Sequence, residues 1–344
     1  MDAIFRTSRA LRWSALCALI VAGLAGAPAQ AADAACQYSE IATLPLGLLE
    51  RSAAPVVQGS INDKPVQMLL DTGAQHTYLI KAEMDRQGLP MARQKRQIAG
   101  VGGSASMFLV RLRDMAVGPA HVSNANFSVV DALEKASYGA LVGADFLSQA
   151  DMEVSLADKQ AKFFHAEGCK DKGLAYWDSN ALDIPMESMS LQDQRQMFEV
   201  LINGQKVRAI IDTGAGLSVL SLAAAERAGV TPQSAGVGPA GIMSGIGSDK
   251  VPAYNAPFDR FSIGGETIKN PHIRIADWHQ TQWFARNGPE MLLGRDFLKT
   301  HHVLLAMSQS RLYFSYLGGQ VFLNPPTAAA GAPAVAPSAG HSQP

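Results

Sequence analysis

The sequence predicts a mainly β protein, with short helices, built as two homologous lobes. Three observations carry that expectation. Leu69-Leu70-Asp71-Thr72-Gly73-Ala74 occurs again as Ile210-Ile211-Asp212-Thr213-Gly214-Ala215, and each copy runs an apolar strand into Asp-Thr-Gly and on through Ala-x-x-Thr/Ser-x-Leu. The offset of 141 residues from Asp71 to Asp212 also carries Ile61-Asn62 onto Ile202-Asn203, Val66 onto Val207 and Gly88 onto Gly229. Later, Leu141-Val142-Gly143-Ala144-Asp145-Phe146-Leu147 parallels Leu292-Leu293-Gly294-Arg295-Asp296-Phe297-Leu298 at an offset of 151 residues, so the second half holds about ten extra residues in between. A repeat of this length decides the architecture.

Taken in order, the chain opens with Arg6, Arg9 and Arg12, then an apolar run from Trp13 to Leu24, then Ala29-Gln30-Ala31. Residues 1–31 therefore read as a cleaved secretory signal peptide, too short in its apolar run for a spanning helix. Asp33 ahead of Cys36 argues against a lipoprotein. The mature protein is expected to be periplasmic or secreted, with no membrane segment after cleavage. Cys17 leaves with the signal, so Cys36 and Cys169 remain, either as a disulfide tying the ends of the first domain or as two free thiols. Neither has a second ligand at metal-site spacing, and no metal or other cofactor is expected.

The 344 residues leave room for two domains and a sizeable core. With 17% charged residues and a formal net charge of −1, the chain has no basic surplus for nucleic acid and no acidic solvating tail. The expected layout is a first domain over 37–169, a linker over 170–190, a second domain over 191–324, and an Ala/Pro-rich disordered tail over 325–344.

Each half reads alike. Strands are expected over 55–60 and 197–201, turns at Asn62-Asp63 and Asn203-Gly204, and return strands over 66–70 and 207–211 into the motif. Short helices over 81–87 and 222–228 are closed by Gly88 and Gly229. Glycine-rich hairpin tips follow, Gly100-Val101-Gly102-Gly103 and Gly245-Ile246-Gly247, which allow sharp bends. Asp145 and Asp296 are expected to be helix N-caps. A hairpin closes each half, over 153–164 and 303–316.

Asp-Thr-Gly-Ala after two apolar residues, a glycine-rich flap, and then apolar-apolar-Gly-Arg-Asp-x-Leu resemble the retropepsin-like aspartic proteases, over roughly 55–165 and 197–316. Retroviral enzymes build the site from two identical subunits, whereas this chain holds both halves, as pepsins do. Its halves are shorter than pepsin lobes, and the first flap lacks the tyrosine that pepsins carry. The chain thus resembles fused, two-domain, exported bacterial retropepsin-like proteins. The resemblance implies acid-protease β-barrel lobes with the active site between them, and an aspartic endopeptidase that works as a monomer on a polypeptide substrate. It implies Asp71 and Asp212 as the catalytic pair, since two touching carboxyls cannot both ionise and so share a proton. Thr72 and Thr213 would interlock the two loops, and Gly73 and Gly214 would let backbone N–H groups approach the carboxylates.

The flap residues Gly100, Val101, Gly102, Gly103, Gly245, Ile246 and Gly247 would close over the substrate and pair with it as an added strand. Val101, Ile246, Met107 and Met243 would make the cleft apolar. Ala74 and Ala215 stand where pepsin-like enzymes place a hydroxyl. Without that donor the pair's pKa is expected to stay higher, with activity at mildly acidic to neutral pH. The rival expectation is a catalytically silent or partner-dedicated peptide-binding module of the same fold. His301-His302 and His76 read as surface or packing residues, since adjacent strand side chains point to opposite faces.

Overall fold

The computed structural model describes residues 35–50, 54–132, 136–278 and 287–322. The signal peptide read over 1–31 and the tail read over 325–344 lie outside the described residues.

In the first lobe, Pro55–Ile61 turns at Asn62-Asp63 into Lys64–Leu70, both turn residues at positive φ (50° and 69°). Asn203 and Gly204 repeat the device at 49° and 82°, the geometry that matches the twist of a two-residue hairpin. Lys64–Leu70 then lies parallel to Ala140–Val142, which pairs with Tyr78–Ile80, and that strand pairs with Ala120–Val130. Gly103–Val117 follows, and its far end pairs back onto Pro55–Ile61, so six strands close into a ring. Ile61, Met68, Leu70, Leu79, Leu112 and Met115 fill the ring, with the helix Lys81–Gln87 contributing buried Met84.

The second lobe repeats the order with Asp193–Ile202, Gln205–Ile211, Met291–Leu293, Val219–Ser221, His272–Ala276 and Val251–Pro257. Its closing strand is a separate piece, Arg260–Ile263, paired back onto Asp193–Ile202. The first lobe uses continuous strands of 15 and 11 residues here, whereas the second breaks both, at 258–259 and at 270–271. Pro271 has no N–H to donate to a ladder, and its carbonyl instead accepts the Phe258 N–H (3.0 Å). Phe198, Phe261, Ile273, Ile275 and Phe297 make this lobe's core.

The hairpins expected to close each half do not stay in their lobes. Gln37–Pro45, Gln160–Glu167 and Asp151–Ser155 join His301–Ala306, Arg311–Tyr316 and Leu182–Pro185 in one six-stranded antiparallel sheet. At its centre the repeat-related strands meet, Met152 opposite Leu305 and Val154 opposite Val303, symmetrically about Glu153 and Leu304. Of the segment read as a linker, Leu182–Pro185 adds a strand to this sheet and Glu187–Ser190 pairs with the second lobe. Runs of four residues are too short for a period-2 signal to declare them.

Cys36 and Cys169 are bonded, with a Cα–Cα distance of 4.4 Å and a sequence separation of 133. The bond fixes the edge strand beside the pairing of Gln37 with Glu167. A crosslink over so long a loop restricts the unfolded chain, a contribution on the order of 5 kcal/mol by the chain-entropy argument. The Cys36→Ser/Cys169→Ser double variant is expected to lose about 2–5 kcal/mol in urea unfolding. An unchanged midpoint would show that the edge strand is held without the crosslink.

Candidate active site

Each Asp-Thr-Gly loop leaves a strand that is buried on both faces, and the following N–H is held from behind. Asp71 N–H donates to the Val142 carbonyl (3.0 Å) and Asp212 N–H to the Leu293 carbonyl (2.9 Å). The later signature in each half thus backs the loop that carries the aspartate.

The two loops meet through their threonines. Thr72 Oγ1 donates to the Ile211 carbonyl (2.6 Å), and Thr213 Oγ1 donates to the Leu70 carbonyl (2.7 Å). Each hydroxyl also accepts the backbone N–H of the opposite threonine, both at 3.1 Å. These four bonds are dry, because Thr213 is fully buried and Thr72 is 8% exposed. Each such bond contributes roughly 0.5–1.5 kcal/mol net, and leaving its buried partner unsatisfied costs more.

The interlock brings Asp71 and Asp212 within hydrogen-bonding reach of one another. Gly73 N–H and Ala74 N–H donate to Asp71 Oδ1 (3.0 and 3.1 Å), and Ala215 N–H donates to Asp212 Oδ1 (2.9 Å). The glycines have a reason sharper than N–H approach. A Cβ on Gly73 would lie 2.4–2.6 Å from the Asp212 carboxylate, and one on Gly214 would lie 2.5–2.7 Å from that of Asp71. Each glycine therefore makes room for the opposite lobe's carboxyl.

Desolvation, and next the charge of Asp212, push Asp71 well above the usual carboxylate range. Desolvation raises Asp212 too, offset by donors that include the Ala215 N–H and by the positive charge of Arg195. The pair therefore favours holding one proton, which belongs to the pair rather than to either residue.

Arg195 was not legible in the sequence. It opens the strand Asp193–Ile202, is 9% exposed, and pairs with Asp193 through Nε (2.9 Å) and Nη2 (2.5 Å). From the second lobe, its Nη1 donates to the Gly73 carbonyl of the first (3.2 Å). The repeat offers no signal for it, since Ala54 stands 141 residues earlier.

Asp145 and Asp296 are not N-caps. Gly143 and Gly294 occupy the cap positions, with no side-chain cap bond. Asp145 Oδ1 instead accepts the N–H and hydroxyl of Thr77 (2.8 and 2.7 Å), and Asp296 Oδ1 those of Ser218 (2.8 and 2.6 Å). Both hydroxyls in turn accept the N–H of Gly143 or Gly294 (3.1 and 3.0 Å). The recurring Thr/Ser after Ala-x-x and the recurring Asp after Gly-x are thus partners, a pairing that the two copies together spelled out.

The flap tips meet above the loops. Gly102 N–H donates to the Ile246 carbonyl (2.9 Å), Asp249 N–H donates to the Gly102 carbonyl (2.6 Å), and Gly102 bridges Gly247. Gly100 and Gly245 pack closely on Ile246 and Val101, and Gly103 on Asp249. The tips exchange apolar contacts: Val101 packs on the second lobe's cluster with Ile210, Val219 and Leu292, and Ile246 on the first lobe's with Leu69, Tyr78 and Ala74. Met243 joins the second-lobe cluster, whereas Met107 stays in its flap strand opposite Val130. His76 lies half exposed, 3.6 Å from Asp145 Oδ2. His301 and His302 are buried, stacked on Phe297 and Trp177 and facing Glu266 and Glu153.

With that geometry in place, comparison with known families gives two matches. Residues 57–149 match the gag-polyprotein aspartyl protease family, and residues 198–297 match a family described as aspartyl protease. A search of curated proteins found no match.

A stability profile tests the electrostatics. A carboxyl whose folded pKa is raised contributes stability that is fully present below its unfolded value, near 3.9, and lost as pH rises through the folded value. The Asp71→Asn variant is therefore expected to gain stability relative to wild type as pH rises from about 4 upward. Urea midpoints at a series of pH values measure this; a gap that does not change with pH would contradict it.

Proposed function

From a chain that belongs to the retropepsin-like aspartic proteases, with one aspartyl protease domain in each half, we infer an endopeptidase that cuts polypeptides by water activated between Asp71 and Asp212. The observation that carries the reading is the meeting of two desolvated carboxyls, one from each lobe, at a junction where one proton is favoured over none. The ionised carboxylate takes a proton from a water while the protonated partner donates to the carbonyl oxygen of the peptide. Water oxygen then bonds the carbonyl carbon, giving a neutral diol. In the second half a carboxyl protonates the amide nitrogen, the other takes a hydroxyl proton, and the C–N bond breaks. The pair ends with the one proton it began with.

Backbone N–H donors face both carboxyls, Gly73 and Ala74 on Asp71 and Ala215 on Asp212, and Arg195 adds a positive charge near Asp212, so the proton belongs to the pair. The apolar clusters beside the dyad suit hydrophobic residues near the cut, and the flaps suit an extended substrate pairing with them as a strand. Because both aspartates lie in one chain, the enzyme works as a monomer. The signal-like N-terminus supports action in a periplasm or outside the cell.

At Ala74 and Ala215 the carboxyls receive a backbone N–H but no side-chain hydroxyl. Activity is accordingly expected at mildly acidic to neutral pH. Cleavage of an unfolded protein should be inhibited by pepstatin and fall about 10²–10⁴-fold in Asp71→Asn and in Asp212→Asn. Cleavage by either variant at the wild-type rate would refute the dyad, and a maximum in strong acid would refute the role given to the alanines.

A further inference from the structure

The two lobes differ in charge beside the dyad. Arg295 takes the place of Ala144 in the repeated Gly-x-Asp signature. Its Nη2 stands 2.8 Å from where a Cβ of Gly216 would be, so the glycine leaves the guanidinium its space. Gly216 is exposed and lies four residues past Asp212 in the same loop. In the first lobe that position is Gln75, whose amide donates to the Gln192 carbonyl (3.0 Å).

Arg274 takes the place of Ser128. Val219 is in register with Arg274 as its repeat mate Tyr78 is with Ser128. Partners in register share a face of the sheet, and Val219 belongs to the apolar cluster on the cleft side of the second lobe. Val219 also pairs with Leu292, three residues before Arg295. The two arginines thus flank the stretch 216–219 from either side.

Neither cation is held in an ion pair among the described residues, although the charge of Asp296 lies near Arg295. Both are half-buried, and the Nε of each is buried with no hydrogen-bond partner. Asp296, the neighbouring carboxylate, is already engaged by the N–H and hydroxyl of Ser218. A buried guanidinium N–H without a partner is costly, and the planar fork fits a carboxylate.

We propose that Arg274 and Arg295 form a carboxylate-recognising subsite on the second lobe's side of the cleft. The polypeptide it selects presents an acidic side chain, or its own C-terminal carboxylate, on one side of the cleaved bond only. The first lobe, with Ala144 and Ser128, has no counterpart. The cleavage part of this inference rests on the protease reading of the dyad; the binding part does not.

Unstructured octapeptides with an apolar central pair, carrying Glu or Gln at each flanking position in turn and a free or amidated C-terminus, provide the test. Binding is read by fluorescence anisotropy with Asp71→Asn and cleavage with the otherwise unmodified protein. A charge-assisted pair predicts a preference for the carboxylate of roughly tenfold, at positions on one side of the central pair, weakening as salt is raised. Loss on Glu→Gln assigns the ligand to a side chain, and loss on amidation assigns it to the terminus. Arg295→Ala and Arg274→Ser, which reproduce the first lobe's residues, should each reduce the preference, and Arg295→Lys should keep part of it. Equal binding of charged and neutral peptides throughout, binding of none, or a preference that survives both substitutions would overturn the subsite. Cleavage without any acidic preference would count against the subsite alone. An intact binding preference without cleavage would count against the dyad alone.

Discussion

Two carboxyl groups supplied by different lobes have to be held in contact against desolvation and against their own repulsion, and the rest of the structure answers to that requirement. The reciprocal threonine bonds supply the rigid junction, four hydrogen bonds between the two Asp-Thr-Gly stretches in a dry environment. The glycines on either side leave out a Cβ that would collide with the opposite carboxyl. Behind each loop the Thr77–Asp145 or Ser218–Asp296 bond ties it to the short helix that follows the strand receiving its N–H. The flaps meet over the junction and the six-stranded sheet joins the lobes by a second route, so the lobes touch above and are bonded below.

Duplication gives such a site its symmetry, and single-chain architecture permits the symmetry to be broken. Each copy can now carry a residue the other lacks. Arg195, locked by Asp193, reaches from the second lobe to the carbonyl of Gly73 in the first, and its field falls on Asp212. Arg274 and Arg295 stand where the first lobe has Ser128 and Ala144. A pair of identical subunits would have to place every such charge twice. One chain can set a positive charge near one carboxyl and prepare one wall of the cleft for a charged substrate group.

Features written twice were legible in the sequence, and features written once were not. The motif strands, the positive-φ turns at 62–63 and 203–204, the short helices and the flaps all stood out because two weak signals agreed. Arg195 stands alone and had no mate to raise it above an ordinary charged strand residue. The aspartates of the late signature were visible as a repeat but misread as caps. An Asp at the start of a short helix satisfies the local capping preference, while its actual partner is 78 residues away at Ser218. The shared six-stranded sheet was also hidden: a hairpin pattern states that two strands pair with each other and says nothing of what lies along their outer edges.

The shared proton is the central claim, and carboxyl-carbon NMR titration of protein labelled in its aspartates measures it directly. One carboxyl resonance of the Asp71–Asp212 pair is predicted to keep its proton well above the usual carboxylate range. Asp71→Asn is predicted to replace the two coupled steps with a single one, that of Asp212. Two independent titrations in the ordinary aspartate range, each unaffected by substitution of the other residue, would contradict it.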